Sequence, residues 1–302
     1  METKNKLLTV LVCFLILVLL AGVGAFKPKQ ASGNISTAAD DGGNGQSRKI
    51  KKLGGVECRM PENSAFVFFG STFGLKLLSY KAYKNFDEAL CSLKSKETDA
   101  VWACDVSADY LLKVNEGLKK VDAELTSDIQ RTDAPRFSFG MALKKDSGEK
   151  LRDEINEALS SIKTDGTLDD IISKYVDNAE YFETETGKKD RFYPKNMKNK
   201  SGNGTIKVGI TGAVPPLELL DEDMDPYGFC VALMDEIAGR TGKKVKFVYI
   251  DNETAFTSLV SGRVDLIFAY GNSPTTTESK PVHIMTDGYL DMQRYYMIQV
   301  GE

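Results

Sequence analysis

The feature that most limits what this chain can fold into is an internal repeat. Glu88-Ala89-Leu90-Cys91-Ser92-Leu93 followed by Thr98-Asp99-Ala100-Val101-Trp102-Ala103 has a counterpart in Thr254-Ala255-Phe256-Thr257-Ser258-Leu259 followed by Val264-Asp265-Leu266-Ile267-Phe268-Ala269, at identical spacing. In each copy apolar residues recur at i and i+3 or i+4, the period of a helix with one buried face. A tight turn follows, then an Asp and a continuous apolar run of the kind that forms strands buried on both faces. Both copies read as helix–strand units of a parallel sheet.

The flanks extend each copy in the same way. Around the second, residues 206–210 read as a strand, 229–241 as a helix stopped by Gly242, and 244–250 as another strand. Around the first, a strand over 55–59, a helix from about Asn63 and a strand near 77–80 make the same series. Residues 137–143 add a further strand, and 148–163 and 168–175 read as helices separated at Gly166. Right-handed crossovers then predict an α/β architecture of two doubly wound sheets whose strand ends face a ligand cleft.

The N-terminus carries an export signal. Lys4 and Lys6 precede an uncharged, mostly apolar run over residues 7–26 that ends in the small residues Val23-Gly24-Ala25. Its length lies between a cleaved signal peptide and a spanning anchor, so 1–26 is expected to be one of the two and to bring the chain to the membrane. Residues 27–48 hold almost no large apolar side chain and read as a disordered spacer. The 43 acidic and 39 basic residues are mixed along the chain and leave no basic face for nucleic acid. Cys58, Cys91, Cys104 and Cys230 show no metal-ligand spacing and are expected as free thiols, with no metal or other cofactor implied. His283, the one histidine, has no acid partner in the sequence that would make it a base.

At this point the chain resembles the polar amino-acid class of extracellular solute-binding proteins that serve ATP-binding-cassette importers. The resemblance lies in Pro215-Pro216, Gly228-Phe229 and Leu259-Val260-Ser261-Gly262-Arg263-Val264-Asp265, which match the family's opening half, and in the helix over 155–162, Gly166-Thr167 and the helix ending at Tyr175, which match its closing half. The family's ending therefore stands before its beginning. The resemblance implies a two-lobed periplasmic-binding-protein-like clamp of type II in circularly permuted order. The alternative is remnants of two tandem clamps. On the first reading 49–135 is the inner lobe, 136–176 a crossing strand and the last helices of the outer lobe, 177–204 a linker, and 205–302 the rest of the outer lobe with the second crossing strand, 295–300. The second block ends on that single apolar strand, which needs a sheet to cover it.

In the family an arginine grips the ligand carboxylate and an aspartate its ammonium. Carried over, the stretch Thr276-Thr277-Glu278-Ser279 puts a hydroxyl where the arginine stood, and the aspartate falls on Cys104 with Asp105 one place later. The two aromatic positions that sandwich the ligand side chain fall on Leu217 and Asn252. Tyr270, Asn272 and Ser273 would add uncharged hydrogen bonds, Lys280 a point charge, and Asn63 and Ser64 the N–H groups of a helix start. A standard zwitterionic amino acid fits this set poorly. The function expected is non-enzymatic capture of a small polar solute, outside the cytoplasmic membrane of a bacterium, for an importer permease or a membrane sensor. Two alternatives are an interaction module that has lost its ligand and a dehydratase-like enzyme with Glu278 as its base.

Overall fold

The computed structural model describes residues 50–56, 62–122, 137–272 and 283–301. The expected leader and spacer lie outside the described residues. In chain order the early block runs β1 (Lys52–Gly55), α1 (Glu62–Phe73), β2 (Ser79–Ala82), α2 (Phe86–Lys94), β3 (Ala100–Cys104), α3 (Asp105–Val114), β4 (Leu118–Asp122), β5 (Phe137–Lys144), α4 (Glu149–Thr164) and α5 (Thr167–Ile172). The late block runs β6 (Thr205–Ile210), the short pair β7 (Leu219–Leu220) and β8 (Pro226–Tyr227), α6 (Phe229–Thr241), β9 (Lys244–Tyr249), α7 (Ala255–Val260), β10 (Leu266–Asn272), β11 (His283–Met285), β12 (Leu290–Met292) and β13 (Tyr295–Val300).

The strands assemble into two main sheets with one plan. The first has the order β2-β1-β3-β13-β4, and the second, read from its other edge, β9-β6-β10-β5-β11. In each, three parallel strands of one block are followed by an antiparallel guest from the other block. The early block thus lends β5 to the late sheet, and the late block lends β13 to the early one. The two crossing strands do not pair with each other; each is built into the opposite lobe. The result is an α/β fold of two lobes that exchange one strand each.

Local sequence explains the elements. Asn85 caps α2 by accepting the Glu88 N–H at 2.9 Å, and Asp87 and Glu88 favour the helix start electrostatically. Phe86, Ala89, Leu90 and Leu93 form its buried face. α6 is apolar nearly all round and is buried over most of its length, as a helix between layers must be. It stops at Gly242, whose φ of +63° a side chain would resist.

The aspartate of each repeat does the same work. Asp99 Oδ2 accepts the backbone N–H groups of Lys51 (2.8 Å) and Lys52 (2.9 Å), and its own N–H donates to Lys52 O. Asp265 Oδ2 accepts the N–H of Lys207 (2.8 Å), and its own N–H donates to Lys207 O. In both sheets the carboxylate staples the start of the third strand to the first, ahead of a strand whose side chains are buried on both faces.

Residues 177–204 are more than a tether. They form short helical turns that bury Ala179, Phe182 and Met197. Glu183 Oε1 accepts the Tyr110 hydroxyl of α3 at 3.2 Å and the Tyr227 hydroxyl of β8 at 2.6 Å, while Oε2 receives Arg191 at 2.9 Å. Arg191 also lies 4.1 Å from the centroid of the Tyr227 ring. One carboxylate therefore ties a helix of the first lobe to a strand of the second.

Replacing Asp99 or Asp265 with Ala is expected to lower unfolding free energy by about 1–3 kcal/mol each, because charge-assisted hydrogen bonds to otherwise orphaned backbone donors are lost. Urea denaturation checks this, and a change below about 0.5 kcal/mol at both sites would leave the staples without energetic weight.

Candidate ligand-binding cleft

A cavity of about 270 Å³ opens between the two sheets. Trp102 of β3, Tyr295 of β13 and Phe68 of α1 form its wall on the first lobe, and Phe256 of α7 with residues 267–271 of β10 form the wall on the second. Thr211, Ala213 and Val214 after β6, Phe139 of β5, and Asn252 complete it. Trp102 and Tyr295 stack with centroids 4.0 Å apart and planes at 18°, so a strand from each block supplies one half of a single aromatic surface. Among the described residues no charged side chain lines the cavity.

The second wall is shaped by a bulge. Pairing of β10 with β5 runs Leu266↔Leu143 and Ile267↔Ala142, then resumes at Tyr270↔Gly140, so Phe268 and Ala269 together oppose Met141. Ala269 sits at φ +47°, and its N–H turns to the Tyr289 hydroxyl at 3.1 Å. On the other side of β5, the Met141 N–H donates to Thr286 Oγ1 at 2.9 Å and its carbonyl accepts the Thr286 N–H at 3.0 Å. An extra residue shifts the inward–outward alternation of everything beyond it. Tyr270, the residue at which pairing resumes, packs edge-on against Phe256 (5.3 Å) and His283 (5.3 Å) at the cavity wall.

The residues nominated from the sequence divide into three groups. Asn252 and Tyr270 line the cavity. Asn252 also donates from Nδ2 to the carbonyl of Val56 at 3.2 Å, which links the end of β9 in one lobe to the end of β1 in the other. The second group is present but occupied elsewhere. Leu217 is fully buried in the core, and Cys104 is fully buried with its Sγ directed at Ser107 Oγ. Asp105 Oδ2 accepts the N–H groups of Gln293 (2.8 Å) and Arg294 (3.2 Å), and Oδ1 that of Val106, so its carboxylate serves the segment that leads into β13. Burial raises its pKa despite those donors. Asn63, exposed, and Ser64, half-buried, begin α1 away from the cavity lining. Asn272 ends β10, and Ser273, Thr276, Glu278, Ser279 and Lys280 lie outside the described residues.

Of the aromatic residues of the cleft the sequence reading nominated Tyr270 alone, although it held a signal for two others. Trp102 and Phe268 occupy the same place in the two copies of the repeat and both reach the cavity. It also passed over Glu218. This side chain is only 2% exposed, and Oε2 accepts the hydroxyl of Thr211 at 2.7 Å while Oε1 takes the Thr211 N–H at 3.3 Å. It thus braces the cavity wall from behind. Burial pushes its carboxyl up to about 7, against the opposing pull of the Thr211 hydroxyl and the backbone donors of 211–213. The thiol of Cys230 and the hydroxyl of Tyr289 are raised by burial and then by this same carboxylate.

The unfolded chain ionises Glu218 near its ordinary value of 4.5, well before the folded chain does at about 7. Folding stability therefore falls as pH rises through that interval and levels off above it, by about 3 kcal/mol at most. Glu218→Gln is expected to flatten this part of the stability curve, as followed by denaturant melts from pH 4 to 8. An unchanged slope would mean that the carboxyl titrates normally.

The family model of bacterial extracellular solute-binding proteins, family 3, matches residues 206–297. No curated protein matches the sequence. Among solved structures the chain is similar to the zinc-bound ligand-binding component of an ABC-type import system from Staphylococcus aureus, at 10% identity and a TM-score of 0.39 over 83% of this chain and 66% of that one. It is also similar to the alkanesulfonate-binding protein SsuA from Xanthomonas axonopodis pv. citri bound to MOPS, at 9% identity and a TM-score of 0.38 over 83% and 65%. The reduced OxyR regulatory domain from Pseudomonas aeruginosa gives 10% and 0.37 over 83% and 87%. The chain spans just under two thirds of the length of the first two. The sequence match covers less than half of the chain: over residues 206–297 it is similar to the bacterial extracellular solute-binding proteins, family 3.

Proposed function

We propose that the protein captures a small polar solute between its lobes and presents it, from the outer face of the cytoplasmic membrane, to an importer permease or a membrane sensor. The observation that carries this reading is a cavity whose walls come from both sheets, with the Asn252 to Val56 hydrogen bond spanning the two lobes beside it. A ligand held there touches both lobes at once, so its binding energy favours the closed arrangement over the open one. Capture needs no catalytic group. Among the side chains of the wall, Asn252 and Tyr270 are the polar groups nominated for the solute.

The exchange of β5 and β13 supports the permuted order within one chain over two independent fragments. Each early or late sheet on its own would lack its fourth strand, and its third strand would be left with one open edge. Membrane attachment is assigned to residues 1–26, outside the described residues; among the described residues no helix is long and apolar enough to cross a membrane.

A ligand present at a hundred times its Kd adds about 2.7 kcal/mol of stability. For a domain pair of this size that is a rise in Tm of about 5 °C, so thermal denaturation against a panel of metabolites is the direct test. The expected result is at least one stabilising compound that also contracts the protein in small-angle X-ray scattering. A flat response across amines, amides, organic acids, amino acids and nucleobases would favour the interaction module that has lost its ligand.

A further inference from the structure

Resting on the capture reading, we propose that Glu218 is a positioning residue of the cavity wall: its proton decides whether the Thr211 hydroxyl meets a solute as a hydrogen-bond donor or as an acceptor. Thr211 follows β6, is half-buried and lines the cavity, whereas Glu218 lies buried behind it. Glu218 Oε2 stands 2.7 Å from Thr211 Oγ1, and Oε1 takes the Thr211 N–H at 3.3 Å. Thr211 Oγ1 in turn accepts the Ala213 N–H at 3.2 Å. Thr211, Ala213 and Val214 all belong to the wall, so one carboxyl backs a continuous stretch of it.

A hydroxyl has one proton to donate and two lone pairs with which to accept. While Glu218 is ionised, the Thr211 proton goes to Oε2 and one lone pair is taken by Ala213. A single lone pair is left for the cavity, and the wall accepts. Protonation of Glu218 reverses the bond between them. The proton enters on Oε2, because Oε1 already faces an N–H, and from there it donates to Thr211 Oγ1. Both lone pairs of Oγ1 are then filled, by Glu218 and by Ala213, and its own proton is released to the cavity. The wall donates.

The carboxyl is placed to change state near neutrality, since burial pushes it up to about 7 against the donors of 211–213. Among the described residues, the other titratable groups that face it are the Cys230 thiol on α6 and the Tyr289 hydroxyl ahead of β12. Both are raised by their own burial and then by this carboxylate, so both stay protonated and neither adds a charge to the exchange. A solute with an acceptor oxygen at Thr211 favours the protonated carboxyl. Its capture takes up a proton and weakens as pH rises through the carboxyl's value. A solute that brings an N–H to the same point follows the opposite course.

Thermal denaturation of the full chain at about pH 5.5 and about pH 8.5 tests this with probes whose own charge is nearly constant over that range. Glycine betaine and pyruvate carry acceptor oxygens and no N–H, putrescine and agmatine carry N–H donors and no acceptor oxygen, and L-glutamine carries both. The expected result is at least one acceptor probe whose Kd, read from the concentration dependence of Tm, is about fivefold lower at the acid pH. Glu218→Gln, whose amide N–H takes the place of the carboxyl proton, holds the acid-side affinity at both pH values. Thr211→Val abolishes the difference and Thr211→Ser keeps it, which a merely structural role for Glu218 does not predict. An acceptor probe that binds equally at both pH values overturns the proposal and leaves solute capture standing. So does a pH dependence that survives Glu218→Gln or Thr211→Val, or binding by the donor probes alone that is tighter in acid. If no probe raises Tm at either pH, capture itself fails, and the proton switch with it.

Discussion

Everything in this molecule depends on the reciprocal loan of one strand. β13 enters the first sheet between β3 and β4, where Met297 and Ile298 are fully buried, and β5 enters the second, where Met141, Ala142 and Leu143 are fully buried. Fully burying a Met, Ile or Leu side chain is worth about 1.5–3 kcal/mol, so neither lobe can spare its guest. The loan also sets the chemistry. Tyr295 belongs to the guest and Trp102 to the host, and the aromatic wall exists only where they stack. Fold and cleft are therefore consequences of one pairing.

Much of this was legible in the residues. The repeat named two helix–strand units, and each proved to be the α2–β3 or α7–β10 step of a parallel sheet. Its aspartates, noticed only as the residue before each apolar run, hold the start of the third strand to the first in both lobes. Periodicity and the glycine stop placed α6 over the residues where it occurs, and the apolar run 295–300 coincides with β13. Some boundaries moved. β1 covers 52–55, with 57–59 of the expected strand lying outside the described residues, and β2 covers 79–82, because short strands are bounded by their pairing register and not by the apolar content of their flanks.

The cleft was harder to read, for reasons particular to its residues. Carrying a family's ligand anchors across by alignment assumes that the backbone beneath them keeps its direction. At β10 the bulge inserts one residue ahead of Tyr270, which reaches the cavity, and the anchors carried over to 273, 276 and 279 lie outside the described residues. At the end of β3 a different rule wins. Asp105 stands at the start of α3 beside the backbone N–H groups of 293 and 294, and orphaned donors of that kind claim a carboxylate before a solute can. Leu217 shows the third case: an aliphatic side chain at a position that carries an aromatic in the family has turned into the core.

The tethers on α3 have a mechanical outcome. Its first residue, Asp105, grips 293–294, the joint between β12 of one lobe and β13 of the other, and further along Tyr110 and Lys113 grip Glu183 and the 177–180 turns that also hold β8. The helix is thus pinned at both ends to the opposite half of the molecule. Sliding one half past the other would therefore break both sets of bonds together, and the joint into β13 and the 177–183 turns hold their register as a unit.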